Sequence, residues 1–200
     1  MVANQQMKAH QTAILSLEEY RKLEIESDSK FEFHNGKVYA LAGGTINHGL
    51  ICGNVHADIK VKLEDKKSNC LPFNSDVKLF IEKTNSYVYP DTMVICGKIE
   101  TSTEYEDAVT NPVLIIEVLS KATASYDRGD KFYFYRQIPT LKEYVLIEQN
   151  KHVVDVHSKG IDNDFWKITR YEGLDKTVKF QSIDLELPME RLYLNTKIEL

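Results

Sequence analysis

The sequence has few cysteines and no long apolar run. Its 200 residues contain three cysteines, Cys52, Cys70 and Cys96, which lie far apart and form no CxxC pair. This arrangement indicates neither a disulfide framework nor a zinc ribbon. No apolar stretch approaches the roughly 18 residues of a membrane span, and Lys8 and His10 interrupt any signal-peptide pattern. We therefore expect a cytoplasmic protein that has no contact with a membrane.

An excess of basic charge is also lacking. The formal net charge is −5 and the sequence pI is about 5.7. This balance argues against a protein that coats nucleic acid, because such binding depends on neutralising phosphates over a broad basic surface. It does not exclude a nuclease, whose active site can itself be a cluster of acids that binds cations. The chain is long enough for one domain, residues 1–200, with residues 1–13 as a loose polar tail.

The spacing of apolar residues predicts an α/β fold. Helices are predicted from the capping box at Ser16 to about Leu23, over residues 47–64, and from Thr123 or Ser125 to Arg136. Strands are predicted at residues 31–33, 37–41, 77–81, 87–96, 113–119, 143–148, 152–157, 165–171 and 177–180. We expect a mixed β-sheet flanked by helices, with an N-terminal hairpin and C-terminal β additions.

Two acids point to the chemistry. Glu117 lies inside the apolar run Val113-Leu-Ile-Ile-Glu-Val-Leu119, and Asp91 follows Pro90, which predicts a strand edge or a bulge there. A carboxylate in a buried strand is costly unless a cation or hydrogen-bond donors hold it. A return strand can bring the two acids together, where they would supply the oxygen ligands that Mg²⁺ or Mn²⁺ prefers. The alternative for Glu117 is a carboxylate that bonds a nearby Arg or Tyr and has no catalytic role.

A lysine is expected beside these acids, and two candidates remain open. Lys131 lies on the helix that follows, four residues after Asp127, which either orients it or forms an ordinary surface pair. Lys121 would share a face with Glu117 if the strand continued that far. The residues after Leu119 indicate that the strand stops, which favours Lys131. Either lysine could also be an ordinary exposed side chain.

The order of these motifs resembles the PD-(D/E)xK nuclease superfamily, which has the restriction-endonuclease-like fold, and more closely its Uma-two family. The resemblance spans roughly residues 16–150, about two-thirds of the chain. The segments that carry it are residues 30–37 (Lys-Phe-Glu-Phe-His-Asn-Gly-Lys), Tyr89-Pro-Asp91, residues 112–120 (Pro-Val-Leu-Ile-Ile-Glu-Val-Leu-Ser), Asp127-Arg-Gly-Asp-Lys131 with Tyr135, and Glu143-Tyr144. Each alone is weak, but their order and spacing together are fairly specific.

The resemblance implies roles for five residues. In the superfamily the Asp and Glu of the motif bind a divalent metal, which assigns Asp91 and Glu117 as metal ligands. A lysine two residues after the Glu orients or activates the attacking water, but that position is Leu119 here. Members of the resembled family place this lysine on the next helix, which points to Lys131. Glu32 would be a further acid of the site and His48 a further polar residue near it.

Other readings of these side chains remain open. Glu32 lies between two phenylalanines, so strand alternation could equally turn it toward solvent. His48, Cys52 and His56 share one helix stripe, but no further Cys or His pair completes a tetrahedral zinc site, so we expect a partly buried histidine and cysteine instead. His48 alone, near the helix start, could still face the active site. The four aromatic residues 132–135 are expected mainly to pack in the core.

The sequence therefore predicts a Mg²⁺- or Mn²⁺-dependent endonuclease that acts on DNA. A homodimer is compatible with this function, because two sites related by a twofold axis most simply cut two strands. One alternative is a catalytically inactive binding or assembly module that kept the nuclease scaffold, as the acidic charge and the missing strand lysine allow. Another is hydrolysis of a small phosphorylated molecule.

Overall fold

The structure, a computed structural model, describes residues 14–41, 43–104, 106–121, 123–160 and 165–198. The predicted tail at residues 1–13 lies outside the described residues. The helices are α1 (Leu17–Glu26), α2 (Ile46–Asp65), α3 (Ala124–Tyr126), α4 (Phe132–Tyr135) and α5 (Met189–Leu192), with a π-helical turn at Asp127–Lys131 between α3 and α4. The strands are β1 (Phe31–His34), β2 (Lys37–Ala40), β3 (Cys70–Asn74), β4 (Lys78–Ile81), β5 (Ser86–Val88), β6 (Thr92–Cys96), β7 (Ala108–Val109), β8 (Leu114–Leu119), β9 (Glu143–Glu148), β10 (Val153–Lys159), β11 (Trp166–Glu172), β12 (Thr177–Phe180) and β13 (Leu185–Pro188).

A six-stranded mixed sheet, in the order β11-β10-β9-β8-β6-β3, forms the centre of the fold. Only β8 and β9 are parallel in it, and the other neighbours are antiparallel. All six residues of β8 are buried, because helices and strands cover both faces of the sheet. The predicted mixed α/β architecture is confirmed in this arrangement.

The long helix α2 covers one face of the six-stranded sheet. Its apolar side chains Ile51, Val55, Ile59 and Leu63 recur every four residues and are buried against that sheet, together with the β12–β13 hairpin and α5. The predicted helix at residues 47–64 is therefore confirmed, with one residue more at each end. No helix in the part of the chain that the structure describes combines the length and the apolar character needed to cross a membrane.

A second sheet, in the order β2-β1-β5-β4-β7, lies on the N-terminal side. Its β1–β2 hairpin is confirmed, and the turn residues Asn35 and Gly36 have φ of 47° and 95°. Positive φ at both positions matches the twist of the flanking strands, which explains why Asn-Gly stands there. Helix α1 starts at the predicted capping box and buries Tyr20 against this sheet.

The predicted strand at residues 87–96 is wrong as a single strand. The chain leaves the second sheet after β5 and enters the six-stranded sheet at β6, with Pro90 between them. A proline has no N–H to continue a ladder, so the run breaks there and Asp91 lies at the junction of the two sheets. The sequence prediction also missed β3, β7 and β13, which are two to five residues long; β3 contains Pro72 and lies at a sheet edge.

The cysteine prediction is corrected as well. Cys70 and Cys96 form a disulfide between β3 and β6, although their spacing of 26 residues gave no indication of one. The two residues are directly paired in the antiparallel register of these strands, so their side chains project to the same face at close range. Sequence spacing does not reveal strand register, which is why this pair escaped prediction. Cys52 is the free cysteine.

Candidate active site

Asp91 and Glu117 lie side by side where β6 and β8 meet. Thr92 pairs with Ile116 in the antiparallel register, which places Asp91 opposite Glu117. The Asp91 amide donates a 3.4 Å hydrogen bond to Glu117 Oε2, and the Val118 amide donates a 2.8 Å hydrogen bond to Asp91 Oδ2. The expected return strand therefore brings these two carboxylates to one end of the sheet.

Lys131 projects from the π-helical turn into the centre of these acids. Its Nζ lies 2.9 Å from Glu117 Oε1, 3.5 Å from Glu32 Oε1 and 3.7 Å from Asp127 Oδ1. The side chain is buried, so these three carboxylates are the charged groups that face its ammonium. Lys121, the other candidate, is exposed at the rim of the same cleft because the strand ends at Leu119.

Glu32 is buried, with 1% of its surface exposed, so the alternative of a solvent-facing acid is excluded. Alternation does separate it from Phe31 and Phe33, which pack with α1. Its own face is covered, however, because Lys131 reaches Glu32 Oε1 and the ring of His34 lies 3.4 Å from Oε2. Both faces of β1 are therefore buried, which sequence alternation alone could not show.

The start of α2 contributes His48. Thr45 caps the helix, with its hydroxyl accepting a 3.2 Å hydrogen bond from the His48 amide. The ring Nε2 of His48 lies 3.2 Å from Asp91 Oδ2, and Nδ1 lies 3.5 Å from the Sγ of Cys52 one turn later. His48 therefore belongs to the site, and Asp91 contacts groups from α2 as well as from β8.

Tyr135 is a site residue to which sequence reasoning gave no role. Its buried hydroxyl donates a 2.7 Å hydrogen bond to Glu117 Oε1. The spacing of Asp127, Lys131 and Tyr135 at i, i+4 and i+8 was the available signal, because it places all three on one helical face. Tyr126 is a second such residue: its hydroxyl lies 2.9 Å from His34 Nε2 and its side chain lines the cleft.

The acids of the site have opposite pKa shifts. Burial, reinforced by the neighbouring Asp91 and Asp127, raises the pKa of Glu117 to about 8 despite the nearby Lys131 ammonium. Burial also disfavours the charged forms of Asp91 and Glu32, but His48 and the Val118 amide lower the pKa of Asp91, and Lys131 lowers that of Glu32. Burial opposes charge on Lys131 too, yet Glu117 and Glu32 raise its pKa well above the usual value, so it remains an ammonium.

Counting charges tests whether a metal ion suits the site. The site contains four acids. Glu32, Glu117 and Asp127 are buried and Asp91 is partly buried, and Lys131 is the buried cation among them. Burial is the main cause of the raised pKa of Glu117, and the neighbouring Asp91 and Asp127 add to it. Asp91 and Glu117 supply hard oxygen donors, so a divalent cation fits both the charge and the donor set.

The site opens into a cleft of about 1410 Å³. Its floor carries the acids and Lys131. Its rim is formed by the segments on either side of the β1–β2 hairpin, by the start of α2 and by the residues after β8. Basic side chains at the rim are Lys30, Lys121 and Lys197. A polyanion could therefore meet positive charge at the entrance before it reaches the acids on the floor.

Comparisons with known proteins agree with this architecture. The family model Uma2, described as "Putative restriction endonuclease", matches residues 17–190. Two uncharacterized proteins from Synechocystis sp. are 37% and 34% identical, over 84% and 90% of this chain and 94% and 91% of their own lengths. The crystal structure of a putative nuclease belonging to DUF820 from Anabaena variabilis superposes with a TM-score of 0.71 at 17% identity, covering 90% of this chain and 97% of that one. The restriction-endonuclease-like fold is thereby confirmed.

Proposed function

The chain belongs to the Uma2 family, whose model is described as a putative restriction endonuclease, and we propose that it is a Mg²⁺- or Mn²⁺-dependent endonuclease that hydrolyses phosphodiester bonds in DNA. The observation that carries this proposal is the convergence of Asp91, Glu117 and Lys131 at the end of β6 and β8, with Lys131 Nζ 2.9 Å from Glu117 Oε1. Two acids with one ammonium beside them are the groups that this hydrolysis requires.

Each of these residues has a distinct role in the proposal. Asp91 and Glu117 would hold a divalent ion, which when bound lowers the pKa of a coordinated water and offsets charge on the phosphate. Lys131 stabilises the negative charge that develops on the phosphate oxygens, because it is a fixed ammonium in a buried site. Its raised pKa argues against a role as the general base, so we assign it charge stabilisation and orientation of the nucleophile.

The surrounding residues position these groups. Tyr135 holds one oxygen of Glu117, and Glu32 and Asp127 hold Lys131 from two further sides. The missing lysine at position 119, which allowed the alternative of an inactive module, is accounted for in this proposal because Lys131 reaches the same acids from the helix. We assign DNA as the substrate on the size of the cleft and the three lysines at its rim, and a homodimer as the form that cuts both strands.

The test is cleavage of plasmid DNA by purified Asp91→Asn and Glu117→Gln variants in the presence of Mg²⁺ or Mn²⁺. We expect each substitution to reduce cleavage at least about 100-fold, since each removes a charge that acts on the transition state. Asp130→Asn is the control, because this acid lies in the π-helical turn that carries Lys131 but is exposed. Cleavage that survives in both site variants would refute the proposal.

Calorimetry with Mn²⁺ separates the enzyme from the alternative of an inactive module. The enzyme predicts heat of binding that disappears in Glu117→Gln. A folded wild-type protein that neither binds Mn²⁺ nor cleaves DNA would instead support the module, and cleavage of a soluble phosphodiester without cleavage of DNA would indicate a small-molecule substrate.

A further inference from the structure

We infer that His48, Cys52 and Asp91 form a binding site for a borderline divalent metal ion of the zinc and cobalt class. One donor atom from each residue, the ring nitrogen, the thiol sulfur and a carboxylate oxygen, lies within 4.8 Å of the other two. All three side chains are partly buried and line the cleft. The site shares Asp91 with the proposed nuclease centre, but binding of the ion does not depend on that activity.

The positions of the donors suit a single ion. His48 and Cys52 are separated by one helical turn, so both point from α2 toward the same place. His48 Nε2 and Asp91 Oδ2 are 3.2 Å apart. Two nitrogen or oxygen ligands of a tetrahedral ion, at bond lengths of about 2.0–2.1 Å, lie roughly 3.3 Å apart. The His48–Asp91 pair therefore already has the spacing that an ion would impose, and the Cys52 sulfur lies within 4.8 Å of the donor atoms of both residues.

The chemistry of the donors selects the metal. Imidazole and thiolate bind zinc, cobalt and related ions, whereas Mg²⁺ prefers oxygen ligands in an octahedral arrangement. The third ligand, which the helix stripe lacked in sequence, comes from the junction of the two sheets 39 positions after Cys52. Three protein ligands leave a fourth tetrahedral position open for water or a phosphate oxygen, as in catalytic zinc sites.

Excess negative charge around the cluster also favours a cation there. Asp91 belongs to the cluster itself, and its amide donates a hydrogen bond to Glu117, so a second acid adjoins the cluster. Binding of an ion would displace the thiol proton and place the sulfur, the ring and the carboxylate around a positive centre.

Cobalt substitution tests this inference without any measurement of DNA cleavage. Titration of the wild-type protein with Co²⁺ should produce a thiolate-to-cobalt charge-transfer absorption that saturates at one equivalent. The band should be absent in Cys52→Ser, and zinc affinity should fall at least about tenfold, since loss of even an outer-shell partner costs roughly 10–100-fold. His56→Gln is the matched control, because His56 is on the same helix but outside the cluster, and its band should be unchanged.

The three-cysteine sequence makes the assignment of the band unambiguous. Cys70 and Cys96 are paired in a disulfide, and the Cys70→Ser/Cys96→Ser variant, which keeps Cys52, should retain the band even under reducing conditions. The inference is overturned if folded wild-type protein gives no charge-transfer band, or if Cys52→Ser retains it. These outcomes leave the nuclease proposal untouched, because cleavage with Mg²⁺ or Mn²⁺ by wild type and Cys52→Ser is measured separately.

Discussion

At the scale of single residues, Glu117 shows a conflict between stability and the proposed function. Its pKa is raised to about 8, because burial and nearby acids outweigh the Lys131 ammonium, whereas a glutamate in an unfolded chain titrates near about 4.3. Between these values the folded protein binds more protons than the unfolded chain. The metal-free protein should therefore lose stability as the pH rises from about 4.3 to about 8.

The first prediction follows from this loss of stability at rising pH. In EDTA above pH 8, Glu117→Gln should raise the free energy of unfolding on the order of 2 kcal/mol, because it removes a buried charge while Glu32 and Asp127 continue to hold Lys131. Urea unfolding at several pH values measures the change. Glu18→Gln on the exposed face of α1 is the control. A Gln variant that is less stable than wild type throughout this range would contradict the expectation.

The second prediction distinguishes the two candidate lysines. Lys131→Arg keeps the positive charge but not the compact shape that fits among the acids, so we expect a loss of cleavage of at least about 100-fold with the fold retained. Lys121→Gln, at the exposed rim, should change cleavage by no more than about threefold. Plasmid cleavage assays, with circular dichroism to check folding, measure both. A reversed order of the two effects would make Lys121 the lysine that acts.

Single residues were predictable to the extent that they formed local patterns. Asp91 and Glu117 could be singled out because a carboxylate beside buried apolar residues needs a partner, and Lys131 because it shares a helical face with Asp127. The burial of Glu32 and the contact between His48 and Asp91 could not be predicted from local patterns, since both depend on elements far apart in sequence that pack over the site.

At the scale of elements, the N-terminus of α2 positions part of the site. The Thr45 hydroxyl accepts from the His48 amide and donates to the side chain of Gln149, which follows β9. The cap therefore ties the first turn of the helix to the neighbouring sheet. The orientation of His48 toward Asp91 depends on this turn, because His48 is the third residue of α2.

The third prediction tests the cap. Thr45→Ala should lower the free energy of unfolding by about 1 kcal/mol, the usual effect of losing a capping hydroxyl. It should also reduce DNA cleavage several-fold, because His48 loses its fixed position. Thr45→Ser keeps the hydroxyl and should behave as wild type in urea unfolding and in cleavage. Equal loss in Ala and Ser variants would show that the methyl group matters and the cap does not.

Elements with strong periodicity were the predictable part of the fold. Helix α2 and the β1–β2 and β9–β10 hairpins follow from apolar spacing and turn residues, because these signals are local. Pro90 predicts an edge or a bulge, but which sheet each half of the run joins depends on long-range pairing. The Cys70–Cys96 disulfide was missed for the same reason. The sequence did not predict β3, and neither segment alone indicates the register in which β3 pairs with β6.

At the scale of the whole molecule, the net charge of −5 and the acids on the floor of the cleft oppose binding of a polyanion. Phosphates approaching Asp91 and Glu117 are repelled at short range, and the three lysines at the rim only partly offset this repulsion. A divalent ion held by the two acids would cancel their negative charge. Affinity for DNA should therefore depend on the metal more than on the surface as a whole.

The fourth prediction is that DNA binding, measured by fluorescence anisotropy, is at least about tenfold tighter with Ca²⁺ than with EDTA, with Ca²⁺ serving as an oxygen-preferring stand-in for Mg²⁺. The Asp91→Asn/Glu117→Gln variant, which removes two acids from the floor, should bind at least about tenfold more tightly than wild type in EDTA above pH 8, where Glu117 is ionised, and should not respond to Ca²⁺. The control Asp130→Asn/Glu18→Gln also removes two negative charges, but from exposed positions outside the cleft. It should therefore behave as wild type. If that control gains as much affinity as the cleft variant, overall charge governs binding and the local argument is wrong.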